Sequence, residues 1–100
     1  MEYRLWNQGL TEVPDALRSA PDIEVLDLDE NHLKEIPAWM GKLRSLEVLR
    51  LYKNRLTTLP ESLVALSNLK ELSIRGNQFT GLPEVLWKLT VLERLSAGEN

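Results

Sequence analysis

The stretch Leu49–Glu71 reads LRLYKNRLTTLPESLVALSNLKE, and Leu72 begins the same pattern again. Moving this window of 23 residues along the chain brings the leucines into register. Leucines open successive copies at Leu26, Leu49, Leu72 and Leu95, and Tyr3 stands in the same place one period earlier. A self-similar period of roughly 20–50 residues is the signature of a protein built from stacked units. Each copy is therefore predicted to form one turn of a coil.

The first half of each copy predicts a strand followed by a bend. Leu49-Arg50-Leu51 alternates with a period of two, so both leucines should point inward and Arg50 outward. The triplet at Leu26 does the same. After each strand the chain must turn, and an asparagine stands there at Asn31, Asn54, Asn77 and Asn100. A buried amide can bond to backbone groups of its own and adjacent turns, which predicts a ladder of asparagines along the stack.

The second half of each copy predicts a short helical return segment. A proline follows an apolar residue in each copy, as in Leu59-Pro60, and proline suits the first position of a short helix. Leu63, Leu66 and Leu69 then recur at every third residue, which buries one side of a helical or 3₁₀ segment. Parallel strands joined by such segments form an α/β solenoid.

The positions of the period that recur in phase read L-x-[LI]-x-x-N-x-[LF]-x-x-[LI]-P-x-x-[LM]-x-x-L-x-x-L-x-x. This pattern resembles the leucine-rich repeat, and its Leu-Pro form is similar to that of Ras-suppressor-like signalling scaffolds and bacterial cytosolic repeat proteins. The resemblance covers residues 3–100. It implies a right-handed solenoid with strands on the concave face and return segments on the convex face. Residues 1–100 would form one domain of about four repeats, starting near residues 3, 26, 49 and 72, with a partial one at 95.

The two ends of the chain depart from the pattern. In the first turn Gln8 replaces the asparagine, and Ala20-Pro21 weakens the return segment. The fifth strand stops at Asn100 with no polar capping motif after it. Solenoids normally carry atypical terminal repeats that cover the core. Two expectations stay open: a fragment of a longer array, or a small protein whose open end pairs with another chain.

Composition excludes several classes of partner. The net charge of -3 and the pI near 5.2 give no overall attraction to nucleic acid or to an anionic membrane. No apolar run approaches the ~18 residues of a membrane span, and no signal-peptide core is present. The chain has no cysteine, which excludes disulfides and thiolate metal sites. We therefore expect a cytoplasmic protein, or a fragment that omits flanking parts.

The sequence predicts no catalytic centre, cofactor or metal site. The single histidine, His32, follows Asn31 in a turn and is expected to be solvated. No nucleophile elbow, P-loop or dinucleotide fingerprint appears among the scattered serines and glycines. Asp27, Asp29 and Glu30 form a dense acidic cluster, but basic residues flank it across the stack, which disfavours a bound cation.

The period places outward side chains in columns across the predicted concave sheet. One column reads Arg4, Asp27, Arg50, Ser73 and Ser96; the next reads Trp6, Asp29, Tyr52, Arg75 and Gly98; a further one reads Glu2, Val25, Val48, Glu71 and Arg94. One interpretation is a ladder of cross-strand ion pairs, each worth about 0.2–1 kcal/mol. The other is a partner-binding surface, because Trp, Tyr and Arg dominate interface hot spots. Its candidate residues are Trp6, Asp27, Asp29, Arg50, Tyr52 and Arg75.

A second group of apolar side chains falls on the predicted convex side, at Trp39, Val64, Val85 and Trp87. One interpretation is that each tryptophan ring lies flat over neighbouring return segments and covers the flank of the core. The alternative is a convex patch that docks another domain.

The leading functional hypothesis is a non-catalytic module that binds a protein partner through its concave face, as the family resemblance implies. By the same resemblance the partner would be a small GTPase or a kinase pathway component. Two alternatives stay open: a structural fragment that self-associates into homo-oligomers through its uncapped ends, and a regulatory segment of a larger signalling enzyme.

Overall fold

The computed structural model describes residues 1–20 and 22–100, so Pro21, one of the two residues of the predicted weak segment, lies outside the described residues. Five parallel strands form one sheet in chain order: β1 (Glu2–Arg4), β2 (Val25–Asp27), β3 (Val48–Arg50), β4 (Glu71–Ser73) and β5 (Arg94–Ser96). In the described residues the strands alternate with four 3₁₀ helices: η1 (Asp15–Ser19), η2 (Ala38–Lys42), η3 (Glu61–Ala65) and η4 (Glu84–Lys88). This is the predicted solenoid, with its strands on the concave face.

The strand register repeats the period of the sequence. Tyr3 pairs with Leu26, and Leu26 pairs with Leu49, so equivalent residues of successive copies lie side by side. The strands begin one residue before the opening leucine, because the backbone N–H of Glu47 already bonds to the carbonyl of Glu24 at 2.8 Å. Pairing continues beyond the strand ends, since Leu28 N–H bonds to the carbonyl of Arg50 at 2.8 Å.

The core lies between the sheet and the return segments. Both inward leucines of each central turn are fully buried, as Leu49 and Leu51 show, and Met40 and Leu63 meet them from η2 and η3. Burying one such side chain contributes about 1.5–3 kcal/mol. The inward assignment of the repeated leucines is therefore confirmed in the central turns.

A proline stands between the bend and the 3₁₀ helix in each turn. Each stands one residue before its helix rather than at the first helical position. The carbonyl of Pro60 accepts the first helical hydrogen bond, from Leu63 N–H at 3.2 Å, and that of Leu63 accepts one from Leu66 N–H at 3.0 Å. The ring presets φ near the value that the chain needs on entering the helix.

The predicted asparagine ladder is present. The amide nitrogen of Asn54 donates to the carbonyls of Leu28, one turn back, and of Leu51 in its own turn, at 3.0 and 3.3 Å. Its amide oxygen accepts the N–H of Leu33 at 3.0 Å. Equivalent bonds occur at Asn31, Asn77 and Asn100. Each asparagine thus joins two turns through groups that the sheet leaves unpaired.

The return segments pack most closely where η2 meets η3. Gly41 is buried there, and a Cβ atom at this position would overlap the carbonyl oxygen of Ser62. The hydroxyl of Ser62 donates a hydrogen bond to the carbonyl of Ala38 at 2.7 Å across the same contact. The absence of a side chain at residue 41 therefore permits the close approach of the two central turns.

Candidate functional site

The concave face holds a shallow depression of about 410 Å³ over the last three strands. It brings together four of the predicted partner-binding residues: Asp29, Arg50, Tyr52 and Arg75. Its remaining lining comes from Glu71, Leu72, Ser73, Arg94, Leu95 and Ser96. The depression therefore gathers residues from four successive turns, which the stacking of the turns brings together.

Trp6 and Asp27, the other two predicted residues, do not line this depression. Trp6 lies on the first turn and is 53% exposed. Asp27 was expected to point outward into solvent, yet it is only 7% exposed. One of its carboxylate oxygens accepts the N–H of Asp29 at 3.0 Å, and the other lies 3.9 Å from a guanidinium nitrogen of Arg4. Asp27 thus holds the bend after β2.

Asp29 satisfies a backbone group of the next turn. Its carboxylate accepts the N–H of Tyr52 at 2.7 Å, and the side chain is half-buried. Burial raises the pKa of this carboxyl group, and the nearby charge of Asp27 raises it further. The hydrogen bond from Tyr52 and the charge of Arg50 act the other way, but the net direction is upward. The carboxylate of Asp29 therefore serves as a structural hydrogen-bond acceptor and is partly removed from solvent.

The arginines of the depression form ion pairs across turns: Arg94 pairs within its own column, and Arg50 and Arg75 pair with a neighbouring column. Arg50 contacts Glu71 at 3.4 Å, and Arg94 contacts the second oxygen of the same carboxylate at 3.3 Å. Arg75 pairs with Glu99, and this contact raises the pKa of the arginine and lowers that of the glutamate. The ladder interpretation placed Arg50 opposite Asp27, whereas its ion pair is formed with Glu71.

Glu71 and Arg94 are functional candidates that the sequence interpretation did not select. The signal was available, because the column of Glu2, Val25, Val48, Glu71 and Arg94 already placed both on the outward side of the sheet. The candidates were taken instead from the column that contains Trp6 and Tyr52 and from the column beside it. The structure shows that the carboxylate of Glu71 bridges two of the three arginines of the depression, Arg50 and Arg94.

The four convex candidates do not behave alike. Trp39 is half-buried against the core, with the guanidinium of Arg18 5.7 Å from the centre of its ring, and Val85 is buried. Trp87 is 70% exposed, and Val64 is also exposed. Trp39 thus covers the flank of the core, whereas Trp87 does not.

At the β5 side of the solenoid, apolar side chains are exposed at Leu82, Val91 and Leu95. A hollow of about 320 Å³ lies beside them, lined in part by Phe79 and Ala97. This is the surface through which the self-association alternative would operate, and that alternative stays a prediction.

The described residues offer little to a metal ion. No group of three or more His, Cys, Asp or Glu side chains within residues 1–20 and 22–100 is arranged to hold one. His32 is exposed in the turn after β2. In the same part of the chain, no helix has the length and apolar character needed to cross a membrane.

Comparisons with known proteins agree with this architecture. A family profile described as a leucine-rich repeat region matches residues 14–100. A leucine-rich repeat protein of Leptospira interrogans is similar at 31% identity and a TM-score of 0.82, over 89% of this chain and 23% of that one. Comparison with curated proteins found no match.

Two similar structures contain protein or peptide complexes. One is a plant peptide hormone receptor, RGFR1 in complex with RGF2, at 34% identity and a TM-score of 0.75, over 89% of this chain and 15% of that one. The other is the BIR3–SERK2 complex of Arabidopsis thaliana, at 31% identity and a TM-score of 0.78, over 95% of this chain and 53% of that one. The chain thus spans between about a seventh and about half of these proteins. The profile match and the shared architecture show that the chain belongs to the leucine-rich repeat family.

Proposed function

We propose that the chain is a non-catalytic module that binds a protein partner through its concave face. The observation that carries this proposal is the depression in which Tyr52 stands with Arg50 and Arg75. Tyrosine and arginine supply much of the binding energy in protein interfaces, because both combine a large contact area with hydrogen-bond donors.

Tyr52 stands on a backbone that is fixed before any partner arrives. Its backbone N–H is bound by Asp29 at 2.7 Å, and the ammonium group of Lys53 lies 5.4 Å from the centre of the ring. A backbone that is already ordered loses less conformational entropy on binding, which favours affinity. The sheet beneath it adds rigidity, because its strands are joined to both neighbouring turns.

The similar structures support a protein or peptide partner in general terms. The plant receptor is in complex with RGF2, and BIR3 is in complex with SERK2. This chain covers only part of each of those proteins, so their partners are not transferred to it. The cytoplasmic setting and the small GTPase or kinase pathway partner stay predictions.

The experiment compares one variant on each face of the solenoid. A partner is isolated with the wild-type chain, purified, and its Kd is then measured for each variant by calorimetry. Arg50→Ala/Tyr52→Ala should weaken binding at least tenfold, which corresponds to about 1.4 kcal/mol. Trp87→Ala, which removes the most exposed convex aromatic side chain, should leave the Kd unchanged. The opposite pattern would move the binding surface to the convex face. Thermal unfolding of each variant verifies that the fold is retained.

A further inference from the structure

Three arginine side chains of the depression remain accessible to a ligand. The side chains of Arg50, Arg75 and Arg94 are 46%, 49% and 81% exposed. Arg50 lies in β3, Arg75 follows β4, and Arg94 opens β5, so they come from three adjacent turns. Neighbouring strands lie about 4.8 Å apart, so the three turns span roughly 10 Å of the sheet.

Most hydrogen-bond donors of these arginines are not used within the chain. Each guanidinium carries five N–H donors in a planar fork. In the described residues Arg50 and Arg94 each donate one hydrogen bond to Glu71, and Arg75 donates one to Glu99. The remaining donors are available to a carboxylate, which can accept two parallel bonds from one arginine. The side chains of Ser73 and Ser96 add hydroxyl groups to the same lining.

The depression concentrates arginine side chains within an acidic protein. The chain has a net charge of -3, whereas the lining carries three arginines against Asp29 and Glu71, and Glu99 beside it pairs with Arg75. The carboxylate of Asp29 is already engaged with the N–H of Tyr52. The guanidinium donors that Glu71 and Glu99 leave free are therefore the groups of this surface that attract a negatively charged ligand.

Building on the proposed function, we infer that the depression binds an acidic segment of the partner protein, whose aspartate or glutamate side chains pair with Arg50, Arg75 and Arg94. The donors of Arg50 and Arg94 meet at Glu71, whereas Arg75 turns to Glu99. They do not converge on one point, so a single small anion reaches only part of them. An extended segment advances about 3.3 Å per residue and places carboxylates along the full row of arginines.

The test uses a defined probe, because the partner is unidentified. The probe is a fluorescein-labelled octapeptide of alternating glutamate and serine with blocked ends, and its match carries glutamine for glutamate. In fluorescence anisotropy at 50 mM salt, the glutamate peptide should bind at least tenfold more tightly than the glutamine peptide. Its affinity should fall as the salt concentration rises, because paired charges are screened.

The variant Arg75→Gln/Arg94→Gln should weaken binding of the glutamate peptide at least tenfold. The control Arg44→Gln/Arg55→Gln removes the same charge from exposed positions outside the depression and should change the affinity less than threefold. Equal losses in both double variants would overturn the inference in favour of overall charge. Displacement by inorganic phosphate at the peptide's own concentration would overturn it in favour of a free anion.

The inference and the proposed function fail in different ways. If Arg50→Ala/Tyr52→Ala abolishes binding of the purified partner while Arg75→Gln/Arg94→Gln leaves it unchanged, the concave module stands and the acidic segment is wrong. If only Trp87→Ala weakens binding of the partner, the proposed function itself is wrong. Loss of the partner in both concave double variants, with the control double variant unaffected, supports both.

Discussion

At the scale of single residues, Asp29 meets two opposing demands. Its carboxylate is needed as the acceptor for Tyr52 N–H, yet it is half-buried beside a second carboxylate, Asp27. Burial and like charge both disfavour the ionised form and raise the pKa above the ordinary value of 3.8. The residue therefore contributes a hydrogen bond at the cost of holding a disfavoured charge at neutral pH.

The first prediction concerns Asp29→Asn and its pH dependence. Because the pKa of Asp29 is raised on folding, its contribution to stability is largest below pH 3.8 and is lost as the pH rises through the folded pKa. Asparagine keeps an oxygen acceptor for Tyr52 N–H without the charge. The free energy of unfolding of Asp29→Asn minus that of the wild type should therefore increase between pH 3.5 and 7, as measured by urea denaturation.

Asp29→Ala is the matched control, since it removes both the charge and the acceptor. It should be less stable than Asp29→Asn by about 1 kcal/mol, the cost of an unmade hydrogen bond. A difference between Asp29→Asn and wild type that stays constant or declines with rising pH would contradict the upward pKa shift.

For single residues, the sequence shows which side of the sheet a side chain faces, but not whether neighbouring groups cover it. The period correctly placed Asp29, Arg50, Tyr52 and Arg75 on one side of the sheet, because equivalent positions of each copy share a face. It did not predict that Asp27 is covered, since that depends on how the bend after β2 folds back onto the carboxylate. The ion pair between Arg50 and Glu71 also depends on how far the two side chains extend between neighbouring columns, which the period does not encode.

At the scale of elements, the contact between η2 and η3 depends on one glycine. The positions equivalent to Gly41 in the other turns carry Arg18, Val64 and Trp87, so a small residue is not a feature of the repeat. The sequence predicted the return segments and their buried leucines. The close approach of η2 to η3 could not be predicted, because it arises from the geometry between two turns rather than from the pattern within one.

The second prediction is that Gly41→Ala destabilises the protein by about 1–3 kcal/mol, measured by urea denaturation. The added Cβ atom would overlap the carbonyl oxygen of Ser62, and backbone of η3 must move to make room. Gly81→Ala is the control, because its Cβ atom would meet no atom within 4 Å and its φ is ordinary. That control should leave stability unchanged or raise it by up to about 1 kcal/mol. Equal effects of the two substitutions would disprove the close contact.

At the scale of the whole molecule, the stability of each turn depends on its contacts with the turns next to it. Each strand pairs only with the strands before and after it in the chain, and each asparagine joins two successive turns. The free energy of such an array is approximately a sum of turn and nearest-neighbour terms. A defect in the middle therefore weakens two contacts, whereas one at the edge weakens one.

The third prediction is that Leu51→Ala lowers the free energy of unfolding by about 2–5 kcal/mol. Leu51 is fully buried in the central turn, so its loss leaves a cavity between the third turn and both neighbours. Leu82→Ala is the control, because that side chain is 49% exposed and should cost less than about 1 kcal/mol. Far-ultraviolet circular dichroism during urea denaturation reports both values. A cost below about 1 kcal/mol for Leu51→Ala would contradict its place in the core.

The asparagine ladder also constrains how such a gene can change in length. The amide oxygen of Asn54 serves Leu33 N–H, 21 residues earlier, while its nitrogen serves its own turn and the one before. Duplicating or deleting a whole period leaves every such bond with a partner of the same kind. A single-residue insertion between Leu51 and Asn54 displaces the amide from groups on both sides. Evolution and protein engineering should therefore lengthen or shorten this array in complete periods, with smaller changes confined to exposed bends.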